Sequence, residues 1–107
     1  MTLQSVTDAS FDQQVLQNDE TIAVLFYVVG NASCVQAIGP LEAINAEYSG
    51  KLEIVQLNVD TNPVTTAQYS VTMVPTLLVF HNGEVVESVI GAEPKGVYER
   101  DLLPFLA

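Results

Sequence analysis

A chain of 107 residues, 49% of them hydrophobic, is long enough to bury one core without metals or disulfides and too apolar to be disordered. Its 13 acidic and 3 basic residues give a net charge of -10, which repels phosphate backbones and anionic lipid and so argues against nucleic-acid and membrane partners. No apolar run is long enough to span a bilayer and the first residues lack the basic-then-apolar pattern of a leader. The expectation is therefore one domain over residues 1–107, an acidic, soluble, cytoplasmic monomer.

Residues 2–6 predict a short first strand. Thr7 or Asp8 offers an N-cap to a helix carrying Phe11, Val15 and Leu16 on one face. Thr21 to Val29 is apolar on both faces and rich in β-branched and aromatic residues, as a central strand is. After Gly30-Asn31 a helical pattern runs through Val35, Ile38, Leu41, Ile44 and Tyr48 to Ser49-Gly50, with Pro40 set to kink it. Leu52 to Val59 reads as a second buried strand, and Asn62-Pro63 as the cap and first residue of a short helix. Thr76–Phe80 and Val85–Ile90 predict a hairpin turning at Asn82-Gly83. Pro94 opens a last helix with Val97, Tyr98, Leu102 and Phe105; Pro104 falls inside it and removes one amide donor, a departure the pattern does not explain and whose cost is small if the helix ends early. Strands alternating with helices, then a hairpin, imply a largely parallel sheet with an antiparallel edge and helices on both faces.

Several segments carry a family resemblance. They are Lys51-Leu52 with Gln56 to Pro63, Val74 to Glu84, Gly91-Ala92 with Pro94-Lys95, and Ile38-Gly39-Pro40 with Leu41-Glu42. Together these resemble thioredoxin over nearly the whole chain. The resemblance implies an α/β fold, the three-layer α/β/α thioredoxin fold, with a five-stranded mixed sheet flanked by four helices. The implied strand order is 1-3-2-4-5, with strand 4 antiparallel to its neighbours and a cis bond before Pro75.

The family places a proline five residues after its second active-site cysteine. Counting back from Pro40 puts the family's Trp-Cys-Gly-Pro-Cys at Asn31-Ala32-Ser33-Cys34-Val35, so both cysteine positions, Ala32 and Val35, are empty of sulfur. The resemblance puts the family's buried carboxylate at Phe26 and its lysine partner at Gln56, while Val28 and Asn31 replace tryptophans. Dithiol exchange needs one thiolate to attack and a second thiol to resolve, so no catalytic residue is expected and the chain is read as not an enzyme. The residues with backbone roles survive and the catalytic ones do not, which points to an engineered or computationally redesigned, redox-inactive thioredoxin.

Two alternatives stay open. One is a natural thioredoxin-like binding module holding a peptide or protein client in the cis-proline groove at Met73, Val74, Pro75 and Gly91. The other is weak redox activity through Cys34 alone. Cys34 itself is expected as an inert surface thiol, and His81 as a solvated turn residue with no metal-ligand spacing around it. Neither a metal nor a cofactor is expected. The tyrosines at 27, 48, 69 and 98 are assigned to packing.

Overall fold

The computed structural model describes residues 3–106. Five strands form one sheet: β1 (Gln4–Ser5), β2 (Thr21–Tyr27), β3 (Leu52–Asn58), β4 (Thr76–His81) and β5 (Glu84–Ile90). Their order is β1-β3-β2-β4-β5. The pairs β1·β3 and β2·β3 are parallel, and β4 runs antiparallel to both β2 and β5. The thioredoxin fold and strand order implied by the sequence are those observed. Between the strands lie a short π-helix (Asp12–Leu16) and the helices α1 (Ala32–Glu47), α2 (Pro63–Gln68) and α3 (Lys95–Leu102).

Strand alternation sorts the apolar side chains into two cores, one on each face. Ala23, Leu25, Ile54, Leu77 and Val79 face Ala37, Leu41 and Ile44 of α1 and Tyr98 and Leu102 of α3. Ile22, Val24, Phe26, Leu57 and Phe80 face Phe11, the residue that caps the π-helix, and Val15 within it, with Tyr69 packed alongside. Phe11, Tyr69 and Phe80 pack as a triangle with ring centroids 5.2 to 5.6 Å apart.

The expected elements differ from the observed ones chiefly at their ends. The first strand covers Gln4–Ser5, and residue 2 lies outside the described residues. β2 stops at Tyr27, two residues short of Val29. There Val59 donates its amide to the Tyr27 carbonyl and the chain leaves the sheet. Thr7, rather than Asp8, serves the first helical turn: its hydroxyl accepts the Ser10 amide at 3.2 Å. The hairpin turn is Asn82-Gly83, with φ of 51° and 81° as a type I′ turn requires. Pro104 sits in a closing 3₁₀ turn (Leu103–Phe105), so α3 ends before the missing amide matters.

Candidate functional site

Three crossings of the chain meet beyond the C-terminal end of β2. The Val28–Gly30 loop leaves β2 and leads into α1. The Met73–Pro75 loop leads into β4, whose Thr76 is the partner of Phe26. Gly91 follows β5, whose Ile90 is the partner of Thr76. Their convergence follows from register: β2 and β5 end where β4 begins.

At the first crossing, Gly30 takes φ of 82°, a value that favours glycine. Asn31 is extended and caps α1, its Oδ1 accepting the Cys34 amide at 3.0 Å. The side chains that α1 buries are those of Cys34, Ala37, Leu41 and Ile44. Cys34 is 1% exposed and Val35 is 63% exposed. Two expectations are corrected here. Cys34 is a buried thiol rather than a surface one. Val35, placed at the start of the apolar face, points to water, because the spacing 34-37-41-44 sets the buried stripe.

At the second crossing, the Val74–Pro75 bond is cis. Pro75 is buried, Val74 partly so, and Met73 exposed. The Thr76 hydroxyl donates to the Met73 carbonyl at 2.6 Å. Gly91 donates its amide to the Pro75 carbonyl at 2.8 Å. The buried Tyr98 donates its hydroxyl to the Gly91 carbonyl at 3.1 Å. Burial is the main cause raising the Tyr98 phenol above its ordinary range; a hydrogen bond from the Glu93 backbone opposes part of the rise, and the Glu93 charge adds a smaller one. Tyr98 thus links α3 to the loop at Gly91. Its packing role was legible in the sequence and this hydrogen bond was not.

The pair Phe26 and Gln56 is corrected as well. Phe26 belongs to the core on the π-helix side, the face away from α1. Gln56 follows Leu52 and Ile54 at strand spacing, which puts it on the α1 face, and its Cα partner on β2 is Leu25. A carboxylate serving a cysteine on α1 has to lie on the α1 face, and of the two neighbours Leu25 lies there. Phe26 and Gln56 therefore lie on opposite faces of the sheet, and in a strand a shift of one residue is enough to change the face.

Among the described residues no group of three or more His, Cys, Asp or Glu side chains is placed to hold a metal ion. His81 sits 3.2 Å through Nδ1 from Thr21 Oγ1, and Thr21 donates in turn to the Phe105 carbonyl at 2.6 Å. Among the described residues no helix is long and apolar enough to cross a membrane.

The family profile for thioredoxin matches residues 2–102. The chain belongs to the thioredoxin family. It is 37% identical to a thioredoxin of Porphyra purpurea over the full length of both chains. It is 43% identical to one of Streptomyces clavuligerus over 98 residues, covering 92% of this chain and 91% of the relative. A thioredoxin of Staphylococcus aureus is 39% identical over 95 residues, 89% of either chain.

These relatives overturn the reading of a redesigned chain without activity. Proteins named thioredoxin in three unrelated sources share more than a third of this sequence along nearly all of it. They overturn equally the reading that the chain is not an enzyme, since the thioredoxin family is one of protein-disulfide oxidoreductases. The error was to treat the loss of cysteines as a sign of design. Natural divergence removes side chains as readily, and a single remaining thiol still has exchange chemistry.

Proposed function

We propose that this chain is a client-binding thiol protein of the thioredoxin family, in which Cys34 reacts and an extended client segment lies against Met73, Val74, Pro75 and Gly91. One observation carries the reading: the helix start holding Cys34 and the Met73–Pro75 loop emerge at the same end of the sheet, where Gly91 and Tyr98 tie the loop to α3.

The counterpart of the family motif is then Gly30-Asn31-Ala32-Ser33-Cys34, one residue earlier than Pro40 suggests. In the family pattern the first cysteine opens the helix and the second is buried. Asn31 holds the N-cap of α1 and Cys34 is the first buried side chain of that helix. Leu25 beside Gln56 fits the same shift.

Exchange at one thiol draws its second thiol from outside the chain. The Cys34 thiolate attacks a client disulfide, a new S–S bond forms, and the other client sulfur leaves as a thiolate. That client thiol, or a low-molecular-weight thiol, then displaces Cys34 from the mixed disulfide. Because Cys34 is buried, the turn at Asn31–Ser33 has to open for the attack. A reducing compartment such as the cytoplasm keeps Cys34 in its thiol form.

A peptide whose cysteine carries a coloured aromatic thiol as leaving group tests the reading. The expected result is one equivalent of dye released by the native protein, a peptide adduct on Cys34 by mass spectrometry, and no release with Cys34→Ser. A native protein that releases no dye while its urea-unfolded form does would overturn it.

A further inference from the structure

The distribution of charge at this end of the sheet names the kind of client. Residues 21–41 contain no charged side chain, and residues 61–83 contain none apart from His81. These two stretches supply β2, the start of α1, and the loop into β4, so the converging crossings are free of charge in a protein of net charge -10. The same end exposes large apolar groups: Val29 at 71% and Val35 at 63% flank the start of α1, and Met73 at 61% precedes the cis bond. Met73 and Ile90 also line a cleft with Tyr69, Thr76, Leu78 and Ser88. The charges next along the chain from the crossings are acidic. Asp60 follows β3, and Glu93 lies two residues after Gly91.

We infer that this surface docks an extended client segment with an uncharged apolar centre and Lys or Arg at its flanks. The inference rests on the reading of the loop as a client site and adds the chemistry of the client. Apolar exposure at Val29, Val35 and Met73 supplies the contact for the centre. Asp60, Glu93 and the net negative field favour basic flanks and disfavour acidic ones. The same field opposes the other occupants of an apolar patch. A second copy brings another charge of -10, and an anionic bilayer is repelled.

The test uses cysteine-free peptides, so that docking is read apart from chemistry at Cys34. Calorimetric titration compares three synthetic heptapeptides: Arg-Leu-Val-Ala-Val-Leu-Arg, the same centre flanked by Glu, and an Arg-flanked peptide with Ser in place of the apolar centre. The first is expected to bind more tightly than either of the others by about tenfold or more. Val35→Ser and Met73→Ser, both at exposed positions, are expected to remove the advantage of the apolar-centred peptide over the Ser-centred one while leaving the melting temperature in place. Equal affinity for Arg- and Glu-flanked peptides would overturn the inference. So would equal affinity for the Ser-centred peptide, binding indifferent to both substitutions, or concentration-dependent dimerisation that Val35→Ser removes. Failure here with a normal adduct on Cys34 leaves the thiol reading standing. Docking without an adduct removes the thiol reading alone.

Discussion

Asp8 Oδ1 accepts the amide of Thr65 at 2.8 Å, although the two residues are 57 positions apart in the chain. Asp8 Oδ2 accepts the amide of Val64 at 3.2 Å. Asn62, which stands at the N-cap position of α2, makes no side-chain bond to that helix. Its Oδ1 accepts the Asp8 amide at 2.8 Å and its Nδ2 donates to the Asn58 carbonyl at 3.0 Å. The orphan amides of α2 are therefore satisfied from the loop that follows β1.

This arrangement makes stability depend on pH. Burial of the Asp8 carboxylate works against its ionisation. Hydrogen bonds from the Thr65 side chain and from the Thr65 and Val64 amides outweigh it and hold the pKa below the ordinary value. A depressed pKa contributes stability that is fully present above the unfolded-state value, about 3.9, and is lost as pH falls through the folded value. Asp8→Ala is expected to lower the urea midpoint at neutral pH, with the gap to the parent closing in acid. Equal midpoints at neutral pH would show that the cap contributes nothing.

Gly83 is fixed twice, by φ of 81° and by the Leu16 carbonyl oxygen, which lies 2.9 Å from where a Cβ would stand. Gly83→Ala should destabilise by about 1–3 kcal/mol. Gly50 has φ of 89° but nothing within 4 Å of its absent Cβ, so Gly50→Ala should lower the melting temperature less. Thermal denaturation followed by circular dichroism ranks the two.

Phe26 is fully buried between the sheet and the π-helix. A carboxyl there has no partner, so Phe26→Asp should cost about 2–5 kcal/mol. An unchanged denaturant midpoint would contradict the assignment of Phe26 to that core.

Asn31 turns its side chain over the first turn of α1 toward residue 34. Under mild oxidation Asn31→Cys is expected to close a disulfide with Cys34 and lose both thiols to titration. Val35→Cys, with an exposed side chain on the other side of the stripe, should keep its new thiol. An Asn31→Cys variant that keeps both thiols free would count against pairing residue 31 with Cys34 as the motif positions.

Much of the fold was legible because its signals are local. The run Thr21–Tyr27 is apolar at every other position and at those between, so it had to be covered on both faces. Asn82-Gly83 carries the turn conformation in its own chemistry. The site was legible only in part. Met73, Val74, Pro75 and Gly91 were found from a run of residues with strong backbone preferences. The phase of α1 was not, because Val35 and Cys34 are both apolar and the alternatives differ by one residue.

The sequence by itself determined the order of elements, the alternation of strands and helices, the hairpin and the kinship to thioredoxin, since each depends on φ/ψ preferences and periodicities confined to a few neighbouring residues. The tertiary structure decided which residue meets which. It brought Asp8 to α2, put Leu25 opposite Gln56, turned Cys34 inward and Val35 outward, and gathered three uncharged crossings at one end of the sheet. Those pairings depend on packing between segments tens of residues apart, where a shift of one position exchanges one face for the other.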